Sequence, residues 1–286
     1  MMGKLAGKTA FVLAGGGSLG AVQVGMLEAL LEAGVVPDLI VGSSVGALNA
    51  GFFAGDPTAQ GVTKLMEIWR SLHRADIFPL SVGSAFRWLR SADALFEPTK
   101  LKRLIERHLP YRNLEDAPIP VHVVATSLGG VAVRLSSGPA VEAILASAAI
   151  PMMFPSVKIG ADHLMDGAVS GNTPILTAAE LGAERLVVLP TGFACAMTTP
   201  PRGAVSRGFH ALTLLIAHQM ARDLAHLSGT AQVLTVPNLC PLDVSPFDFT
   251  QTETLMARAA RETRAWIADG GLSRQQIPGM LNPHSH

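Results

Sequence analysis

An α/β fold, with a parallel sheet covered by helices on both faces, is what this 286-residue sequence predicts. Three observations carry the prediction. Short apolar runs rich in β-branched residues alternate with stretches of helical periodicity, and glycines end the first two runs abruptly. Hydrophobic residues make up 49% of the chain and charged residues 15%, enough to bury a sizeable core and to exclude disorder.

Thr9 to Ala14 is apolar, partly β-branched and stopped by Gly15, Gly16 and Gly17, so it reads as a buried strand. Leu19, Val22, Met26, Leu27, Leu30 and Leu31 then recur at helical spacing, with Gln23, Glu28 and Glu32 off that face and Gly34 as the stop. Pro37 and Asp38 lead into a second strand, Leu39 to Val41, and a second helix begins near Val45. Further strands are predicted at 119–126, 131–135, 185–189 and 232–236. One later helix has Thr173 as cap, Pro174 in its first position and Gly182 past its end. Another opens at Thr250 with Glu253 three residues on, a capping box, and runs to about Ile267. No repeat or low-complexity linker divides the chain, which reads as one domain over 5–275 and a loosely held tail over 276–286.

Composition excludes several classes of function. Lys plus Arg and Asp plus Glu both number 22, so no basic face is available to displace counterions from a nucleic acid. Cys195 and Cys240 are too few for a disulfide scaffold and lie in no zinc-binding cluster; both read as small core residues in a reducing compartment. The apolar run after the N-terminal lysines is too short for a signal peptide, and no stretch reaches 18 apolar residues. The expected location is therefore cytoplasmic, with contact at a membrane surface left open.

Two motifs and one dipeptide carry chemistry. Gly15-Gly16-Gly17-Ser18-Leu19-Gly20 joins a strand to a helix N-terminus, where glycines let backbone N–H groups approach an anion and the helix dipole adds about half a positive charge. It also satisfies the G-x-G-x-x-G pattern of a dinucleotide site. That fold wants an acidic residue at the end of the second strand, and Asp38 lies before it. Gly42-Ser43-Ser44-Val45-Gly46 is a G-x-S-x-G elbow, in which Gly42 and Gly46 clear the space for a sharp turn that presents the Ser44 hydroxyl. A serine nucleophile needs a base. Nine histidines follow Ser44, of which His210, His218 and His226 fall on the polar face of a predicted helix. The remaining candidate is Asp166, followed by Gly167 at a strand-to-loop edge.

Taken together, these motifs resemble the patatin-like phospholipase family. Leu13 to Ala21 is similar to its oxyanion loop, Gly42 to Gly46 to its elbow, and Ser147-Ala148-Ala149-Ile150-Pro151 with Phe154-Pro155 to the segment preceding its Asp-Gly. The resemblance covers about residues 8 to 190. It implies a three-layer α/β/α sandwich and lipid acyl-ester hydrolysis by a Ser44–Asp166 dyad, with Gly167 supporting the aspartate and no metal or cofactor. It further implies an oxyanion hole drawn from Gly15, Gly16, Gly17 and Ser18, and a lipid or ester as partner. Leu19 departs from the family pattern, which often has Arg or Lys there, and leaves neutral or single-chain esters open as substrates. The alternative readings are a catalytically silent lipid-binding or regulatory module on the same fold, and a dinucleotide-binding oxidoreductase that uses Gly15, Gly17 and Gly20 of the glycine loop.

Residues 69 to 96 hold Trp69, Phe78, Phe86, Trp88 and Phe96 among Arg70, Arg74, Arg87 and Arg90. The stretch reads as rings packed over the sheet, or as a lid or membrane-facing acyl groove.

Overall fold

The structure, a computed structural model, describes residues 7–78, 94–192, 203–227 and 230–273. Five parallel strands form its centre: β1 (Thr9–Leu13), β2 (Leu39–Ser43), β3 (Val121–Ser127), β7 (Arg185–Leu189) and β8 (Gln232–Thr235), in the order β3-β2-β1-β7-β8. The antiparallel β4 (Ala132–Leu135) pairs with β3. The hairpin of β5 (Val157–Ile159) and β6 (Asp162–Met165) joins the end of β3 through Thr126 and Ser127.

Strand alternation builds the layers. Phe11 and Leu13 of β1 join a large core on one face of the sheet, whereas Ala10 and Val12 join a separate core on the other. The larger core is closed by α1 (Gly20–Glu32), α2 (Val45–Gly55), α3 (Ala59–Ser71), α5 (Thr99–His108), α6 (Ala140–Ser147) and α10 (Thr252–Ala268), with the one-turn α4 (Arg74–Ile77) beside α5. The smaller core is closed by α8 (Ile175–Glu180) and α9 (Ala204–His226), and the one-turn α7 (Ala168–Gly171) lies between β6 and α8. The result is a three-layer α/β/α sandwich with a mixed sheet.

Strand order positions the site. The chain moves from β1 through β2 to β3 in one direction, then returns to place β7 on the other side of β1. Open α/β sheets bind ligands at such a reversal, outside the carboxyl ends of the strands. Leu13 is in register with Gly42 on one side and Leu189 on the other, so the glycine loop after β1 lies level with the elbow after β2.

Several local expectations change in the folded chain. Gln23 is fully buried, because α1 is enclosed by the sheet, α3 and α10 and has no wet face in that turn. Pro174 is the cap of α8 and the helix begins at Ile175. The capping box at Thr250 does not form: Thr250 bonds Asp248 through both N–H and hydroxyl, Glu253 pairs with Arg70, and the helix begins at Thr252. Cys240 is exposed rather than in the core, and Cys195 lies outside the described residues. Trp69, Phe78 and Phe96 are buried, as core packing requires; Phe86, Trp88, Arg87, Arg90 and the tail from 276 lie outside the described residues.

Candidate active site

The elbow forms because its two glycines sit where no side chain fits. A Cβ on Gly42 would strike the Gly46 carbonyl, and one on Gly46 would strike the Leu13 carbonyl. Between them Ser44 adopts φ 54° and ψ −126°, a conformation that costs a non-glycine residue roughly 1–3 kcal/mol. The strain is held by neighbours. The Ser44 N–H donates to Ser147 Oγ at 2.8 Å, the Ser147 hydroxyl donates to the Val124 carbonyl at 2.6 Å, and the Ser44 carbonyl accepts from Ala47 and Leu48 at the start of α2.

Asp166 comes to Ser44 from 122 residues away. It follows β6, and its backbone is fixed by bonds from its N–H to the Ala149 carbonyl (3.0 Å) and from the Thr126 hydroxyl to its own carbonyl (2.8 Å). Gly167 donates to the Ser147 carbonyl and passes so close to β3 that a Cβ there would collide with the Val124 carbonyl. Ser147 thus holds both partners, one through its side chain and the other through its carbonyl. The Ser44 hydroxyl donates to Asp166 Oδ2 at 2.7 Å, and Oδ1 accepts the Ala168 N–H at 2.8 Å.

Asp166 is buried. Desolvation raises its pKa to about 6, against the opposing pull of the bonds from Ala168 and Ser44. A carboxylate of that basicity is ionised at neutral pH yet accepts a proton far more readily than a solvated aspartate.

The glycine loop arches over the serine. A Cβ on Gly15 would meet Asn172 Oδ1 and come within 3.0 Å of Ser44 Cβ. The four amides assigned to an oxyanion hole do not stand alike. Gly15 N–H donates to the Asn172 carbonyl (3.0 Å) and Ser18 N–H to the Pro246 carbonyl (2.8 Å), so both are occupied. The N–H groups of Gly16 and Gly17 donate to no described residue. The loop expected to form an oxyanion hole is thus anchored through its outer amides, at Gly15 and Ser18, while the inner two have no partner among the described residues. Leu19 is buried in the larger core.

The sequence motifs do not include the groups that tie this loop down. Gln23 Nε2 donates to the carbonyls of Ala14 and Leu189, Asn49 donates to Gln23 Oε1 and the Gly20 carbonyl, and Trp69 Nε1 donates to Asn49 Oδ1. Only a polar residue recurring inside two apolar helices marked this network in the sequence. Among the described histidines, His108 packs edge-on against Phe52, His122 bonds Ser136, His163 faces Ser156, His73 pairs with Asp76 and His226 is exposed; none bonds Ser44. The side chains of His210 and His218, with His284 and His286, lie outside the described residues. Asp38 accepts the Thr9 N–H at the amino end of the sheet, away from the glycine loop, so the dinucleotide reading finds no ribose-binding carboxylate there. No group of three potential metal ligands occurs among the described residues.

A serine bonded straight to a buried carboxylate, beside free glycine amides on an α/β/α sandwich, places the chain among α/β proteins with a serine–aspartate pair. The model of the patatin-like phospholipases matches residues 11–179, spanning the glycine loop, the elbow and Asp166. The chain belongs to the patatin-like phospholipase family. Among its relatives, rat patatin-like phospholipase domain-containing protein 7 is 27% identical over 186 residues, covering 64% of this chain and 13% of the relative. Lysophospholipase NTE1 of Scheffersomyces stipitis is 25% identical over 210 residues, 70% of this chain and 13% of the relative. The chain therefore spans about an eighth of the length of these relatives. The crystal structure of VipD from Legionella pneumophila shares the fold with a TM-score of 0.51 at 14% identity, covering 93% of this chain and 67% of VipD.

Proposed function

We propose that residues 5–275 form a lipid acyl hydrolase in which Ser44 is the nucleophile and Asp166 the base. The 2.7 Å bond between Ser44 Oγ and Asp166 Oδ2 carries this reading, because a hydroxyl aimed at a buried, basic carboxylate is set to lose its proton as it attacks. The Ser44 oxygen bonds to the ester carbonyl carbon, the π electrons move to the carbonyl oxygen, and Asp166 takes the serine proton. Gly16 and Gly17 amides and the N-terminus of α2 stabilise that oxyanion. Collapse breaks the bond to the leaving alcohol, which receives the proton from Asp166. Water then repeats the sequence on the acyl-enzyme, giving its proton to Asp166, and Ser44 departs with that proton. The names of the relatives favour phospholipid and lysophospholipid esters.

Peripheral contact with a lipid surface belongs to the same reading. Of the seven large apolar side chains exposed among the described residues, Leu128 and Val131 lie in the loop after β3, Met152 and Val169 flank the Asp166 segment, and Leu214 and Leu215 are on α9. Leu128 and Val131 follow the carboxyl end of β3, Val169 follows Asp166, Met152 lies three residues past the Ala149 carbonyl that accepts the Asp166 N–H, and the helix of Leu214 and Leu215 bonds Ser170 through Gln219. No helix among the described residues is long and apolar enough to cross a membrane.

The test is a panel of p-nitrophenyl esters of increasing chain length, beside a phospholipid. Ser44→Ala and Asp166→Asn should each lose at least about a thousandfold in kcat with the fold intact by circular dichroism. Turnover retained in Asp166→Asn would transfer the base role to another residue; turnover retained in Ser44→Ala would end the hydrolase reading.

A further inference from the structure

The two free amides of the glycine loop need a direction as well as an absence of partners, and the structure contains a residue suited to set it. Thr191, two residues past the end of β7, is buried and donates its hydroxyl to the Gly15 carbonyl at 2.6 Å. Asn172 Nδ2 approaches the same oxygen at 3.4 Å, while the Asn172 carbonyl receives the Gly15 N–H at 3.0 Å. Gly15 is thus held at both its N–H and its C=O.

The peptide unit converts this anchor into an aim. A trans peptide is planar, so the carbonyl of one residue and the N–H of the next point to opposite sides of the chain. Pinning the Gly15 carbonyl on Thr191 turns the Gly16 N–H away from Thr191. Thr191 presses close as well: a Cβ on Gly16 would collide with its hydroxyl, which is a local reason for glycine at that position. The Cα of Gly15 lies against Ser44, so the peptide fixed in this way borders the reacting atom.

We propose that Thr191 is a positioning residue: through the Gly15 carbonyl it fixes the plane of the Gly15–Gly16 peptide and aims the Gly16 N–H at the oxyanion formed during attack by Ser44. The proposal rests on the dyad reading above and adds to it a residue outside all three motifs. An N–H aimed at the tetrahedral oxyanion contributes chiefly in the transition state, so loss of aim lowers kcat and leaves KM nearly unchanged.

The experiment compares wild type with Thr191→Val, Thr191→Ser and Ser44→Ala on a soluble p-nitrophenyl ester, and measures inhibition by a trifluoromethyl ketone that forms a tetrahedral adduct with the serine. Thr191→Val, close in shape but without the donor, should lose roughly 10- to 100-fold in kcat with KM within about twofold, and its affinity for the ketone should fall in parallel. Thr191→Ser, which restores the hydroxyl, should recover to within about threefold of wild type. If Thr191→Val does not fold, Thr191→Ala carries the same expectation. A hydroxyl-free variant that keeps wild-type kcat and ketone affinity while Ser44→Ala is inactive overturns the positioning role alone, as does Thr191→Ser being as slow as the hydroxyl-free variant. Turnover surviving Ser44→Ala overturns the dyad and this proposal together.

Discussion

Burial acts on Asp166 in two opposed ways: it raises the basicity that the proposed role as base requires, and it makes the ionised carboxylate costly to the fold. With Asp166 as the proposed base, its pKa of about 6 predicts the pH dependence of ester turnover. The base is ionised above that value, so kcat/KM for a soluble ester should rise with pH to a plateau, with an apparent pKa near 6 on the acid side. A pH–rate profile flat from pH 4 to 8 would remove Asp166 as the base. The stability effect has the opposite sense. The native pKa lies above the unfolded value of 3.8, so the native state binds the proton more readily between about pH 4 and 6 and stability falls as pH rises through that window. At neutral pH the buried charge costs on the order of 2–3 kcal/mol. Asp166→Asn should therefore unfold at a higher denaturant concentration than wild type at pH 7, and the gap should close near pH 4. Equal midpoints at pH 7 would show that the carboxylate is not penalised by burial. At this scale Ser44 was legible in the sequence, since the elbow needs glycines only two residues to either side. The occupied amides of Gly15 and Ser18 were not, because their acceptors, Asn172 and Pro246, come from distant segments.

Among the elements, α1 carries the strongest tertiary constraint. It lies against α10 so closely that a Cβ on Gly25 would collide with the Met256 carbonyl and reach 2.9 Å from the Ala260 N. Glycine in a helix interior ordinarily costs about 1 kcal/mol relative to alanine, so Gly25→Ala would stabilise an isolated α1. Backbone atoms of α10 cannot rotate away as a side chain would, and overpacking of this kind costs about 1–3 kcal/mol. Net destabilisation of up to about 2 kcal/mol is expected, and urea denaturation of Gly25→Ala checks it; a stabilised variant would mean that α10 can move outward. The same contact explains what periodicity missed. Spacing of apolar residues located α1, but the turn that holds Gln23 is enclosed and gives it no wet face, and its amide is satisfied instead by two carbonyls and Asn49. At α10 the capping-box pattern was present, yet Asp248 and Arg70 compete for its two members.

In the whole molecule, the carboxyl edge of the sheet gathers Ser44, Asp166 and the glycine loop, with Leu128, Val131 and Val169 among the exposed apolar side chains of the described residues close by in the chain. Helix α9 adds to this edge. It spans about 34 Å at 1.5 Å per residue, connects the parallel strands β7 and β8, and bonds through Gln219 to Ser170, four residues after Asp166. Leu214 and Leu215 are exposed at its midpoint, one turn before Gln219. Replacing Leu128 and Leu215 together by aspartate removes two apolar anchors, each worth roughly 1–2 kcal/mol of transfer from water. Binding to phosphatidylcholine vesicles should weaken at least about tenfold, while kcat on a soluble ester stays within twofold of wild type. Unchanged vesicle binding in a co-sedimentation assay would eliminate this edge as the lipid-facing surface.

What the sequence by itself determined were the local devices: alternating strand and helix, the glycine loop and the serine elbow. Each depends on sterics within a few residues, which composition and spacing record directly. The residues pointing to Asp166 were visible too, but as a dipeptide they carried no meaning without family resemblance. Only the tertiary structure decided that its carboxylate meets Ser44, that Ser147 bonds both Ser44 and Gly167, and that of the four loop amides those of Gly16 and Gly17 find no partner among the described residues. Those outcomes depend on strand order and helix packing, which minimise the free energy of the entire core and leave no signature in any short stretch of chain.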